Sequence, residues 1–178
     1  MLFADVRGST ALAGERAVSE YTTLIQKFYR VSSDILIRHD ALVNRLMGDQ
    51  VIGLFVPRLT GSNHAKRAVE AAIEILRATG HHELDGPWIP VGIGVHSGEA
   101  FVGSVGSGDG VTEIAILGDN VNKAARLSSN AAAGELIVSE EAFASADLSG
   151  ERLERRKLEL TGIRQPVEVR VVRSDQGV

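Results

Sequence analysis

Asp5 closes the apolar run Met1-Leu2-Phe3-Ala4, and Asp49 sits in the Gly48-Asp49-Gln50 turn between two further apolar runs. If those runs share a sheet, the two carboxylates converge on one edge, which is how proteins hold Mg²⁺ beside a nucleotide's phosphates. Taken singly, each Asp reads first as a turn former or cap that accepts backbone N–H bonds. Taken together, two ionised carboxylates so close repel unless a cation or proton shares them. Arg7 is the rival neutralising group. A third segment, Gly118-Asp119-Asn120-Val121-Asn122-Lys123-Ala124-Ala125-Arg126, puts Asn122 and Arg126 one helical turn apart on a common face. A guanidinium suits charge on a transferring phosphoryl group, and a carboxamide can orient a sugar oxygen. The plain alternative is a solvated helix surface. Asp119 reads as the helix N-cap rather than a third metal ligand. The combination points to phosphoryl chemistry on a nucleoside triphosphate.

The elements that would position these residues follow from periodicity. Apolar positions Leu24, Phe28, Val31 and Ile35 recur at helical spacing and predict a helix over 20–38. Residues 41–47 and 51–55 read as strands joined by the tight Gly-Asp turn. A second helix is expected over 65–79, stopped by Gly80. A strand follows over 88–95. The order strand, helix, strand, strand, helix, strand is that of the ferredoxin-like βαββαβ core, an α+β fold with a palm-like antiparallel sheet and helices packed on it. In that topology the first strand lies antiparallel beside the third, so Asp5 faces the turn that carries Asp49.

A C-terminal extension of helix, strand and hairpin completes the chain. Residues 99–105 are expected to pair with the preceding strand through Ser97-Gly98, ahead of a glycine-punctuated loop and a short strand over 112–117. A helix over 120–129, a strand over 135–138 and a short helix over 140–146 come next. The last hairpin is expected over 152–160 and 167–172, with Thr161-Gly162 in its turn, and 174–178 as a disordered tail.

Composition removes several classes of function. A net charge of −4 gives no basic face for DNA or RNA, so no nucleic-acid partner is expected. Zero cysteines exclude disulfides, thiolate catalysis and Cys-based zinc, and suit the cytosol. No apolar run approaches the ~20 residues that cross a bilayer, and no membrane contact is expected of this domain. No basic leader precedes the first strand. The chain starts inside that strand, as a domain cut from a longer protein would, which leaves room for an upstream regulatory domain outside this chain. The five histidines lack metal-ligand spacing: His81-His82 reads as an exposed loop pair, and His96 as a packed or capping residue. Gly92, Gly94 and Gly98 form no phosphate loop, and Phe28 and Tyr29 read as packing residues.

These residues resemble the class III adenylyl/guanylyl cyclase catalytic domain, over residues 2 to about 172 and in the family's order. Leu2-Phe3-Ala4-Asp5-Val6-Arg7-Gly8-Ser9-Thr10 looks like its first metal motif, and Arg45-Leu46-Met47-Gly48-Asp49 like its second. Gly94-Val95-His96-Ser97-Gly98 and the block 118–127 resemble its later signatures, the last being highly specific. The resemblance implies one catalytic domain over 1–173 that closes a nucleoside triphosphate, ATP ahead of GTP, into its 3′,5′-cyclic form and releases pyrophosphate. It implies two Mg²⁺ or Mn²⁺ ions per site held by Asp5, Asp49 and the Val6 carbonyl, which activate the ribose 3′-hydroxyl and clamp the phosphates. Arg126 would stabilise charge on the α-phosphoryl group and Asn122 would position the ribose. Carboxylates and Asn/Arg pair come from opposite subunits in such cyclases, so a head-to-tail homodimer with interfacial sites is implied. The expected setting is cytoplasmic, or the cytoplasmic part of a larger protein.

Three substrate positions depart from the family pattern. Arg45 stands where adenylyl cyclases usually carry an adenine-reading Lys. Ala115 stands where they carry an Asp or Thr, and Thr161 where a phosphate-binding Lys is common. Arg156, Lys157 and Arg164 are the candidate substitutes for that Lys. The departures motivate the alternative of a weakly active or inactive dimerisation and nucleotide-binding module. A diguanylate cyclase would need Gly-Gly-Asp/Glu-Glu-Phe at the turn, where this chain has Met47-Gly48-Asp49-Gln50-Val51.

Overall fold

The computed structural model describes residues 1–106, 110, 112–148, 153–163 and 165–173. The chain runs through β1 (Leu2–Val6), α1 (Ser9–Gly14), α2 (Val18–Arg38), β2 (Leu42–Met47), β3 (Gln50–Leu54), α3 (Pro57–Thr60), α4 (His64–Ala78) and β4 (Val91–Val95). It continues through β5 (Phe101–Gly106), β6 (Thr112–Leu117), α5 (Asp119–Asn130), β7 (Glu135–Ser139), α6 (Glu140–Ser145), β8 (Glu154–Leu158) and β9 (Val167–Arg173). The expected tail 174–178, and Arg152 and Arg164, lie outside the described residues.

A seven-stranded sheet carries the order β2-β3-β1-β4-β7-β9-β8. Its first four strands form the ferredoxin-like arrangement, with β1 antiparallel to both β3 and β4. The sheet is antiparallel except where β4 pairs parallel to β7. Alternation along the strands divides the two faces. Leu2, Ala4 and Val6 join Phe28, Leu36, Ala72 and Leu76 in the larger core, beneath α2 and α4. Phe28 is wholly buried there, and Phe28→Ala would cost about 3–5 kcal/mol as a large-to-small core change. On the opposite face Leu127 and Ala131 pack with Ile137, Leu160, Val167 and Val169.

The contact of α5 with the sheet requires glycine in β4. A Cβ on Gly94 would lie 2.3 Å from the Ser128 nitrogen and 2.8 Å from the Ala124 carbonyl oxygen. Backbone lies against backbone, and no side chain can move aside. Gly92 meets the end of the same helix, where a Cβ would lie 2.6 Å from the Ala131 carbonyl oxygen, so both glycines serve helix packing.

Three expectations need correction. β5 pairs with β6 in a separate two-stranded sheet and not with β4. The second edge of β4 is taken by β7, with Gly94 opposite Ile137, and every residue of β4 is buried whereas β5 is largely exposed. β4 begins at Val91 rather than 88, because Pro90 has no N–H to give a ladder and the Trp88 backbone N–H instead donates to the Thr79 carbonyl at 3.1 Å. His81 is not an exposed loop residue. Its Nε2 accepts the Val91 N–H at 3.2 Å and its Nδ1 lies 3.2 Å from the Thr79 hydroxyl.

Candidate active site

Strand register brings Asp5 and Asp49 to one edge. Asp5 stands opposite Gln50, and the Val6 N–H donates to the Asp49 carbonyl at 3.0 Å. Because Val6 points into the larger core, Asp5 emerges on the face covered by α5. Its carboxyl is 17% exposed. Burial raises its pKa above the ordinary carboxylate value, the Arg7 guanidinium opposes that rise, and the Asp49 charge adds to it. The two carboxylates therefore sit in each other's field. Tyr29 on α2 fixes the turn, its hydroxyl donating to the Gly48 carbonyl at 2.6 Å. Burial and then the Asp49 charge hold the Tyr21 and Tyr29 phenols above their ordinary value.

This edge fits a hard divalent cation. Among the described residues no group of three or more His, Cys, Asp and Glu gathers at a point. A pair of carboxylates with a backbone carbonyl is the sparse donor set that Mg²⁺ completes with phosphate oxygens and water. The demand for positive charge is visible in Arg7, which is ion-paired to the Asp5 carboxylate.

The second group of residues rides on α5. His96 at the end of β4 is 1% exposed, with Nδ1 at 2.8 Å from the Ser139 hydroxyl and Nε2 at 2.9 Å from Asn120 Oδ1. Asn120 Nδ2 donates to the Glu99 carbonyl at 2.8 Å. These bonds anchor the first turn of α5. Gly118 is the N-cap and Asp119 the first helical residue, one place later than expected for Asp119. Asn122 and Arg126 share a cleft of about 350 Å³ with Asp119, Asn120, Lys123, Gly162 and Ile163. Lys123 is paired to Glu141 at 2.6 Å. The Arg126 guanidinium lies against Gly162 in the hairpin turn, where a Cβ would stand 3.2 Å from Nη2 and where φ of +75° favours glycine.

The structure thus brings Asp5 to Asp49, and Asn122 to Arg126, but the cleft around Arg126 is lined by neither aspartate. Thr161 is exposed beside Gly162 and lines the neighbouring cleft with Leu160 and Ile163. Of the candidate substitutes for a phosphate-binding Lys, Arg156 is spent on Glu135 and Glu154, at 3.1 and 2.8 Å, and Lys157 on Glu168 at 3.1 Å. Arg45 lies on β2 opposite Ile52, and its side chain lies outside what is described. Ala115 lies on β6 opposite Gly103. That hairpin exposes Phe101, Val102, Val105, Ile114 and Leu117.

A model of the adenylate and guanylate cyclase catalytic domain matches residues 1–173. The chain belongs to this family. The crystal structures of the guanylyl cyclase Cya2 and of the adenylyl cyclase CyaB from P. aeruginosa match this cyclase domain with TM-scores of 0.82 and 0.80. Their identities are 25% and 26%, covering 96% and 99% of this chain and 88% and 95% of theirs. The receptor-type guanylate cyclase gcy-6 of Caenorhabditis elegans is 29% identical over 146 residues, which is 80% of this chain and 13% of that protein. The cyclase domain spans 13% to 31% of the length of curated relatives such as this one. Among its described residues no helix is long and apolar enough to cross a membrane.

Sequence reasoning missed the roles of Tyr29 and Asn120 and the reach of Arg7. A tyrosine on the partly buried side of α2 carries a hydroxyl that needs an acceptor, and that need was the available signal for Tyr29. Asn120 and His96 are 24 residues apart, and nothing local links them.

Proposed function

We propose that the chain is a nucleotidyl cyclase. It converts a nucleoside triphosphate, ATP ahead of GTP, into the 3′,5′-cyclic nucleotide and pyrophosphate, at sites formed between the two subunits of a head-to-tail homodimer. The observation that carries this reading is the division of the candidate residues into two separate half-sites on one chain. Asp5 and Asp49 occupy one sheet edge, while Asn122 and Arg126 occupy a cleft of their own. Each half lacks what the other has, and a second copy turned head to tail supplies it at both places. The exposed apolar hairpin of β5 and β6 supports the pairing, since a patch of that kind marks an interaction surface.

Within such a site Asp5, Asp49 and the Val6 carbonyl would hold Mg²⁺ or Mn²⁺, two ions per site, in keeping with the general use of divalent metals in the family. Bound there, the ions would supply acidity to the ribose 3′-hydroxyl and neutralise phosphate charge. Asn122 holds the ribose so that its 3′-oxygen lies in line with the α-phosphorus. The new bond forms from that oxygen to phosphorus, the bond to the bridging oxygen breaks, and pyrophosphate leaves with the electron pair. The hydroxyl proton passes to solvent. Arg126 places its delocalised cation on the α-phosphoryl oxygens, where charge shifts in the transition state. Base choice rests with Arg45 and Ala115. A guanidinium only donates and a methyl does neither, so this pair separates the purines poorly: adenine N1 accepts from Arg, and guanine O6 and N7 accept equally.

Purified protein with Mn²⁺ and ATP or GTP tests the reading. Cyclic nucleotide that disappears in Asp49→Ala supports it. No product from either nucleotide in a concentrated dimer supports instead the dimerisation module that Ala115 and Thr161 would suit.

A further inference from the structure

We propose that Arg7 is an exchangeable counter-ion: it holds the Asp5 carboxylate while no divalent cation is bound, competes with one that enters, and so sets the cation affinity of the edge. This rests on the reading above that Asp5 and Asp49 are the cation ligands. Nothing in the roles assigned to Asp5, Asp49, Asn122 and Arg126 calls for a cation two residues beyond Asp5.

Three contacts carry the inference. Arg7 Nη2 is ion-paired to Asp5 Oδ2, Arg7 Nε donates to the Asp5 carbonyl at 3.3 Å, and Arg7 Nη1 donates to the Ser129 carbonyl at 3.1 Å. The side chains are 21% and 17% exposed, so water screens the pair incompletely. Nη2 occupies Oδ2, so an ion that takes both Asp5 oxygens needs the guanidinium withdrawn, and an ion on Oδ1 alone would bind against an adjacent fixed positive charge. The fixed charge also repels any ion that approaches Asp49.

The two remaining contacts show where Arg7 goes on release. Ser129 lies in the last turn of α5, whose carbonyls are unsatisfied within the helix and carry the negative end of its dipole. A guanidinium that yields its grip on the Asp5 carboxylate keeps a hydrogen-bond acceptor of favourable sign there. Exchange therefore costs one ion pair and not a buried, stranded charge, which makes it reversible.

The test is titration of the protein with Mn²⁺ alone, without nucleotide, by calorimetry, together with thermal melts with and without Mn²⁺. Arg7→Gln removes the charge and retains a hydrogen-bonding head. It is expected to bind Mn²⁺ about five- to tenfold more tightly than wild type, the affinity equivalent of losing a partly buried ion pair. Its metal-free melting temperature should fall, because the carboxylates then repel unneutralised, and the rise on adding Mn²⁺ should be larger. Arg7→Lys keeps the charge and should bind within about twofold of wild type. Arg7→Gln binding equally or more weakly overturns the proposal, as does a melting temperature lowered equally with and without Mn²⁺. If Arg7→Gln does not fold, Arg7→Lys decides alone, since tightening beyond about fivefold with the charge retained contradicts the claim. Wild type showing no Mn²⁺ binding that Asp49→Asn weakens overturns the ligand reading itself, and the counter-ion with it.

Discussion

The imidazole of His96 stands 2.9 Å from Asn120 Oδ1, joining the end of β4 to the first turn of the helix that carries Asn122 and Arg126. That bond requires an N–H at Nε2, which the neutral ring can supply, and burial holds the His96 pKa below its ordinary value near 6.5. His81 is shifted in the same direction, again by burial. In the unfolded chain both rings take protons near 6.5, whereas the folded chain resists until lower pH. Stability contributed by these rings is thus complete above about pH 6.5 and is lost as pH falls through the lower folded values. The urea midpoint should be lower at about pH 5.5 than at about pH 7.5, and the difference should shrink in His96→Gln.

Gly94→Ala should destabilise the domain by about 3 kcal/mol or more, at the upper end of overpacking, because the added methyl meets the backbone of α5. Chemical denaturation measures it. Gly53→Ala is the contrast, since its methyl would meet the movable end of the Leu36 side chain at 2.7 Å, and a smaller loss is expected.

The meeting of Asp5 and Asp49 was legible because topology alone dictates it: once two hairpin strands and a crossover helix are recognised, β1 must lie beside β3. The Asn122 and Arg126 pair was legible from helical spacing. The pairing of β5 was not, because an apolar run reads the same whether it is buried in a sheet or exposed on a hairpin. The place of His81 depended on Thr79 and on the start of β4, and the contact of Arg7 with Ser129 spans 122 residues, so neither leaves a local pattern.

Tyr29→Phe deletes only the hydroxyl that donates to the Gly48 carbonyl. It should cost about 1 kcal/mol of stability, the net worth of one hydrogen bond. It should also raise the Mn²⁺ concentration needed for half-maximal activity several-fold by loosening the turn that bears Asp49. An unchanged Mn²⁺ dependence would leave Tyr29 a packing residue.

Ala115→Asp adds a carboxylate able to accept from the exocyclic amine of adenine. Guanine's N1–H and amine would use the same acceptor, so kcat/KM should rise about fivefold or more, the equivalent of one regained hydrogen bond, for whichever purine meets β6, and no change for either would take Ala115 away from the base. Side-by-side turnover of the two nucleotides checks it.

Division of the site between two subunits is tested most directly by mixing two inactive variants. Asp49→Ala and Arg126→Ala should each lower cyclase activity by about a hundredfold or more, through the ion site and the transition state respectively. Equal amounts, exchanged to equilibrium, make half the dimers mixed, and each mixed dimer assembles one intact site. The mixture should therefore recover about a quarter of wild-type activity. A mixture no more active than either variant alone would place all four residues in one chain and contradict the shared site.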